Sequence, residues 1–364
     1  MKIVDFLCRP FQKPFRRPVR IGRAACERRE GVVVTLVSEE GRRGQGEASP
    51  LVELGTESLR ATTEVLSKVA TLLAGVAVPC SLEEIDALMS AEVFEGAPAA
   101  RHGVELALLD LLAQSRGEPI ARVLANGTAR SSVWVNMLLD AHEPTALAEQ
   151  GAQALLRGFD VLKVKVGSDL CEDAARLRAL RARVGPKVRI RIDANGAWSE
   201  GQARTALRGL SPLALELCEQ PVAAHDPAAL RRVRQLVDCP IAADEALAQE
   251  ESRTDVLDPD RGPAADVLVL KPMVLGGLLP ALKLARKGKE HGVGAYVTTT
   301  MDGWVARKGA AHLAAAIPQS EWASGLATGA LFAEGADESP AVVAAHASLS
   351  LWERVGVRGE RSAN

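Results

Sequence analysis

The sequence predicts an α/β chain, a (β/α)8-type barrel preceded by a smaller α+β unit. Three observations carry this. From about residue 128 onward, short apolar β runs alternate with helical stretches, and eight such runs occupy roughly 200 residues. The first 125 or so residues instead give strands and then helices. Polar residues close several of the later β runs at a nearly constant interval, which is how a barrel rim would be built. An open doubly wound sheet is the alternative that the same alternation allows.

The elements follow in order. "KIVDFL" alternates, and "GVVVTLVSEEGRRGQGEAS" reads as a strand, a glycine turn and a second short strand. "TESLRATTEVLSKVATLLAGV" and "AARHGVELALLDLLAQSRG" have helical periodicity, and the Gly and Pro of "SRGEP" stop the second helix. The first repeat pairs "SVWVNMLL" with a helix over 143–157. "FDVLKVKVG" precedes a helix over 170–183, and "KVRIRIDANG" one over 199–209. "ALELCEQPV" leads to a helix over 226–236, "CPIAADEAL" to a further helical stretch, and "ADVLVLKPMVLGG" to a helix over 278–291. "VGAYVTTTMDG" and "EWASGLATG" complete the series. Continuous apolar strands followed by helices belong to a parallel sheet covered on its outer face. The tail "HASLSLWERVGVRGERSAN" carries little signal and is expected to fray.

Composition narrows the function. A formal charge of −2 gives no general attraction for nucleic acid or an acidic membrane, so neither is expected as a partner. The six cysteines contain no C-x-x-C pair, which points away from a disulfide framework or zinc site and toward reduced, mostly buried thiols in a cytoplasmic protein. The N-terminal residues are broken by prolines, unlike a signal peptide, and no apolar run is long enough for a bilayer.

"FDVLKVKVG" holds two lysines where a strand normally buries apolar groups. Lys163 and Lys165 are two apart, so they share one face. The following runs end at Asp193, Glu219, Asp244 and Lys271, at intervals of 28, 26, 25 and 27 residues from Lys165. One βα repeat per interval places a polar group of each strand on the C-terminal rim, where barrel active sites lie. Singly, each has an ordinary reading: snorkelling lysines on an edge strand, or a helix N-cap aspartate. Their common period joins them. Three carboxylates at one point suit a hard divalent cation, Mg²⁺ above all, with Mn²⁺ as a substitute. A lysine crowded by another cation loses basicity and approaches the range of a general base, which is the expected effect of Lys163 on Lys165. The parts together describe metal-assisted removal of a proton next to a substrate carboxylate.

These stretches resemble the enolase superfamily, in its muconate-lactonising subgroup. "VLKVKVG", "RIDANGAW", "CEQPV", "IAADEAL" and "LVLKPMVLGG" carry the likeness, and "PAARHGVELALLDLLA" resembles the helix that closes the family's N-terminal capping domain. The resemblance implies a capping domain over 1–125, joined by a C-terminal segment over 330–364, and a barrel over 126–329. It implies Asp193, Glu219 and Asp244 as Mg²⁺ ligands, Lys165 as base, Lys163 as the assistant of Lys165, and Lys271 as the cation on the opposite face. Asn195 is expected near the metal and Glu245 behind it. Thr299, Thr300, Met301 and the run Gly325 to Thr328 are expected near a small-molecule carboxylate substrate. The basic, proline-containing stretch Arg9 to Arg20 resembles the family's mobile lid loop. Within the subgroup, "LKPMVLGG", "VTTTMDGWVARKGAAHLAAA" and "SGLATG" are most similar to the o-succinylbenzoate synthases of menaquinone biosynthesis, which implies a syn dehydration. An N-acylamino acid racemase, another epimerase or a cycloisomerase would use the same residues, whereas a catalytically idle barrel would have no need of them. The last β run lacks the Asp-x-Asp that marks the subgroup's dipeptide epimerases.

Overall fold

The computed structural model describes residues 1–21, 24–317, 321–333 and 341–343. The tail expected to fray and most of the 330–364 segment lie outside the described residues. The N-terminal part is a three-stranded antiparallel sheet in the order β1 (Ile3–Ile21), β2 (Ala24–Ser38) and β3 (Arg43–Ala48). It is covered by α1 (Leu59–Leu73), α2 (Leu82–Met89) and α3 (Pro98–Arg116), with α4 (Ile120–Ala125) leading out. β3 carries glycine at alternate positions, and α3 presses against them. A Cβ on Gly46 would stand 1.8 Å from the Gly103 carbonyl oxygen, so only glycine lets helix and strand backbones meet there.

Arg9 to Arg20 is strand, not loop. It lies within β1 and pairs with β2 from Ile3 to Pro14, then again from Val19 to Ile21 after a shift in register. β1 is the outer strand, and Pro10 and Pro14, four apart, share one parity. Prolines of one parity leave the same side of the strand without N–H donors, which an outer strand tolerates on its open edge. The hairpin is tied to the rest of the chain near its tip. Phe15 stacks on Phe332 at 5.0 Å, the Ala333 N–H donates to Pro14 O, and Arg17 pairs with Asp140 at 2.5 Å.

The barrel begins with β4 (Ser132–Trp134) and β5 (Met137–Leu139), then α5 (Pro144–Leu156). β6 (Val161–Lys165), α6 (Leu170–Val184), β7 (Arg189–Asp193), α7 (Glu200–Leu210), β8 (Leu217–Glu219) and α8 (Pro227–Leu236) follow. Next come β9 (Ile241–Ala243), α9 (Glu250–Val256), β10 (Val267–Leu270), the short α10 (Pro272–Leu275), α11 (Leu278–Glu290), β11 (Gly294–Val297) and α12 (Trp304–Ala316). β5 to β11 pair in sequence as a seven-stranded parallel sheet. The eighth position is minimal: Ser324 bridges Val135 and Gly325 bridges Thr298, both in parallel, and these two contacts close the ring. The barrel reading therefore holds over the open sheet. β12 (Ala341–Val343) pairs antiparallel with β4, so this piece of the C-terminal segment joins the start of the barrel rather than the N-terminal sheet.

Side-chain parity sorts the barrel strands. Leu217, Ala242, Val267, Val269 and Tyr296 form one buried cluster inside the ring, and the opposite parity packs outward under the helices. Of the six cysteines, all without disulfides, Cys8, Cys80 and Cys171 are exposed and Cys218 is buried, a more open distribution than the expectation of mostly buried thiols.

Two buried carboxylates dock the N-terminal part on the barrel. Glu47, on β3, accepts from the N–H groups of Gly303 (2.6 Å), Val305 (3.1 Å) and Ala306 (3.2 Å) at the start of α12. Glu105, on α3, accepts from the Leu279 N–H (3.0 Å) at the start of α11 and pairs with Arg101. Helix N-termini need an acceptor for their free N–H groups, usually an N-cap side chain. Here Gly277 and Gly303 hold the N-cap positions, and a Cβ on either would stand within 2.3 Å or 2.6 Å of the arriving carboxylate.

Candidate active site

The lumen parity carries the site. Arg191 and Asp193, Leu217 and Glu219, Ala242 and Asp244, and Val269 and Lys271 are pairs two residues apart, so each rim group points inward above a lumen residue. Register puts them level: Lys165 is opposite Asp193, and Asp193 opposite Glu219, across neighbouring strands. Asp193, Glu219 and Asp244 each bring an oxygen within 4.8 Å of the others. Five of the six predicted rim groups line one cavity of about 260 Å³, together with Asn195, Glu245, Thr299, Thr300 and Gly325; Glu219 sits beneath it, fully buried.

Charge within the cluster is tightly balanced. The Lys163 ammonium donates to both Glu219 oxygens at 2.7 Å and lies 2.9 Å from Asp193 Oδ2. Lys271 Nζ donates to Asp244 Oδ2 at 2.5 Å. Burial alone would raise Glu219, but Lys163 and Lys271 bring it down to about 2. Asp193 is raised by burial and by the Glu219 charge, and Asp244 is raised well above the carboxylate range by burial and Glu245. Lys163 and Lys271 are held up by these carboxylates despite their burial. The K-x-K pair thus has a different reason from the one expected: Lys163 is a counter-ion of Glu219 and Asp193 before it is a neighbour of Lys165. Lys165 is the exposed member, and no carboxylate among the described residues pairs with its ammonium.

The donor set fits a hard divalent cation. Asp244 Oδ1 is buried without a hydrogen-bond partner, an acceptor facing three-carboxylate surroundings that a cation would satisfy. Asn195, in the left-handed region at φ 45°, donates from its backbone to Asp193 Oδ1 and from Nδ2 to Glu245 Oε1, both at 3.0 Å. Glu245 is thus linked through Asn195 to Asp193 and lines the same cavity.

Several residues escaped sequence reasoning. Gln220, fully buried at φ 39°, accepts from the Asp244 and Ala246 N–H groups and so fixes the turn that presents Asp244. Tyr296, the only tyrosine of the chain, donates from its hydroxyl to Glu219 Oε2 at 2.6 Å. Beneath it the buried Arg191 guanidinium lies 4.7 Å from the ring centroid. A lone tyrosine in an otherwise aliphatic strand was the available signal. Arg29, on β2, donates to the carbonyls of Pro50 and Thr300 and lies 3.9 Å from Asp302, which ties the pocket-lining turn at Glu53 and Leu54 to the loop after β11. Thr299 shares a hydrogen bond with Thr328 at 2.8 Å, and Thr300 bonds to Asp302.

An α/β barrel with convergent carboxylates and lysines on its C-terminal rim is the architecture of a barrel enzyme. Residues 5–125 match the mandelate racemase / muconate lactonizing enzyme N-terminal domain, and residues 146–356 match the enolase C-terminal domain-like family. The chain belongs to the enolase superfamily, in its muconate-lactonising subgroup. It is similar to the N-succinyl-L-Arg/Lys racemase of Bacillus cereus, at 29% identity over 86% of this chain and 84% of that one. It is also similar to the o-succinylbenzoate synthase of Thermobifida fusca, at 40% identity but over 55% and 60% of the two chains. Among solved structures, the dipeptide epimerase of Enterococcus faecalis, complexed with Mg and the dipeptide L-Leu-L-Tyr, superimposes with a TM-score of 0.86 at 26% identity, covering 96% of this chain and 99% of that one.

Proposed function

We propose that this chain is a racemase or epimerase that moves a proton between the two faces of a carbon next to a carboxylate, with an N-acylated amino acid as substrate. The observation that carries the reading is the placement of Lys165 and Lys271. They stand at the ends of β6 and β10, four strands apart in a ring of eight positions, and therefore face each other across the cavity. Lys165, as the free amine, takes the proton from one face and becomes the ammonium. Lys271, as the ammonium, gives a proton to the other face and becomes the amine. The opposite enantiomer reverses the roles. Asp193, Glu219 and Asp244 would hold Mg²⁺, which supplies positive charge for the substrate carboxylate as electron density moves onto it. The extended likeness to a racemase and to an epimerase supports this reading. The segment Ser324–Thr328 carries no carboxylate, so that wall offers no counter-ion to a free amino group, and an acylated nitrogen suits it.

A second reading, o-succinylbenzoate synthase, rests on the higher identity to the Thermobifida protein over about half the chain. Syn elimination needs proton traffic on one face only, with the same lysine returning the proton to the departing hydroxyl. The deciding experiment incubates the protein with Mg²⁺ and a panel of N-succinyl-L-amino acids in D₂O. Formation of the D-enantiomer with deuterium at the α-carbon is the expected result. Retained L-configuration, with aromatic product formed from the synthase's hydroxycyclohexadiene carboxylate, would replace the racemase reading by the synthase.

A further inference from the structure

The half of the cavity away from the carboxylates is walled by Asn136 beside β5, the loop after β11, and the closing segment at Gly325–Thr328. Its polar side chains are nearly all committed within the protein. Thr298 donates to Gly325 O, Thr299 bonds to Thr328, and Thr300 bonds to Asp302. Glu53 stands at the exposed rim, where water serves it. Asn136 differs. It is 4% exposed, its backbone N–H is used by Ser324 O, and its Nδ2 is buried with no partner. A buried amide donor left unmade works against folding, so its retention on a cavity wall calls for a ligand that completes it.

We propose that Asn136 binds the acyl amide of the substrate, its Nδ2 donating to the acyl carbonyl oxygen. The inference rests on the reading of an N-acylated substrate and supplies the group that would select it. With the carboxylate end of the substrate on the side of Asp193, Glu219 and Asp244, and the α-carbon between Lys165 and Lys271, an acyl group on the α-nitrogen extends toward the half of the cavity that carries Asn136. A primary carboxamide suits that partner: it is uncharged, so it neither attracts a free ammonium nor competes with the rim carboxylates for a cation. Asn136 is a binding residue in this role and takes no part in proton transfer.

Three unreactive or slowly exchanging ligands of equal chain length separate the possibilities. N-Succinylglycine has the amide, γ-oxopimelate keeps the carbonyl but replaces the N–H by a methylene, and pimelate has neither. Their dissociation constants are measured by calorimetry with Mg²⁺ present. The wild-type protein should bind the first two about tenfold more tightly than pimelate, the effect of one hydrogen bond of ordinary net strength. Asn136→Ala should reduce this difference to less than twofold while the Mg²⁺-induced rise in Tm stays unchanged. Asn136→Leu, close in size and without a donor, serves if the alanine variant does not fold. Preference for the carbonyl ligands retained in the variants, or absent from the wild type, overturns the assignment. A carbonyl preference lost in Asn136→Ala, in a protein that racemises no N-succinyl amino acid, leaves the assignment standing and removes the racemase reading instead. Failure of the wild type to bind any of the three removes both.

Discussion

Replacing Glu47 by alanine should destabilise the protein by about 3 kcal/mol. The carboxylate is fully buried and accepts from three backbone N–H groups at the start of α12 and from the Ser49 hydroxyl. Alanine leaves those three N–H groups facing a cavity. At about 1.5 kcal/mol for each donor left unmade, the loss is roughly 4–5 kcal/mol. Against this stands the cost of holding a carboxyl group in the interior, where burial and the nearby Asp302 raise its pKa; relief of that cost returns about 1–2 kcal/mol. With an unfolding entropy of about 2 cal/mol/K per residue, a chain of 364 residues that melts as one unit loses about 4 °C in Tm. Glu47→Gln keeps one acceptor oxygen but turns an amide N–H₂ toward the helix end, so its loss should lie between wild type and alanine. Differential scanning calorimetry at constant pH measures both. An alanine variant melting within 1 °C of wild type, or a glutamine variant worse than alanine, would refute the role of Glu47 as the acceptor that caps the start of α12.

Lys165→Ala and Lys271→Ala should each abolish racemisation, yet each should retain α-proton exchange with D₂O from the one enantiomer whose base remains, read by NMR; loss of exchange from both enantiomers in both variants would count against facing bases. Tyr296→Phe removes the hydroxyl that orients Glu219, and should weaken Mn²⁺ binding by about three- to tenfold in a titration followed by electron paramagnetic resonance, with unchanged affinity as the contrary result. Burial holds Glu105 up at about 7 and His102 down at about 4. The Glu105 contribution to stability is present below its unfolded pKa and is lost as pH rises through about 7, whereas that of His102 is present above its unfolded pKa and is lost as pH falls through about 4. The two slopes oppose each other in the wild type, so Glu105→Gln should show a Tm rising more steeply between pH 4 and 6.5 than wild type; parallel profiles would contradict this.

Most of the barrel was legible because its signal is periodic. Strand-end residues 25 to 28 apart mark one βα repeat, and the helices after β5, β6, β7, β8 and β10 begin and end within about a residue of where the hydrophobic pattern puts them. The rim groups were legible for the same reason: Lys165, Asp193 and Glu219 close their strands in register. What stayed hidden depends on contacts far apart in sequence. Nothing local distinguishes Glu47 from a surface glutamate of an edge hairpin; its partners lie more than 250 residues away. The prolines of β1 read as loop because a central strand would exclude them, and only the sheet order shows that β1 is an edge. The relation of Lys163 to Lys165 was misjudged because spacing gives shared direction but not the nearest charge. The carboxylates on the next two strands, 2.9 Å and 2.7 Å from the Lys163 ammonium, decide it.

The docking carboxylates and the cavity are parts of one arrangement. The loop after β11 supplies Thr299, Thr300 and Met301 to the pocket and runs directly into the α12 end held by Glu47. Arg29 fastens the same loop to the turn before Glu53 and Leu54. Both anchors arise in the N-terminal sheet, so the position of this pocket-lining loop is fixed in part by residues outside the barrel. The lysines and carboxylates proposed for the reaction, by contrast, all stand on barrel strands or directly after them, braced from within by Gln220, Asn195 and Tyr296. The rim groups and the anchors of the loop after β11 therefore belong to different parts of the chain. A change in the turn at Glu53 and Leu54 can alter what the pocket accepts while leaving Lys165, Lys271 and the three carboxylates in register. That separation is why the rim residues, read from sequence, define the reaction class, while the substrate must be sought in the walls.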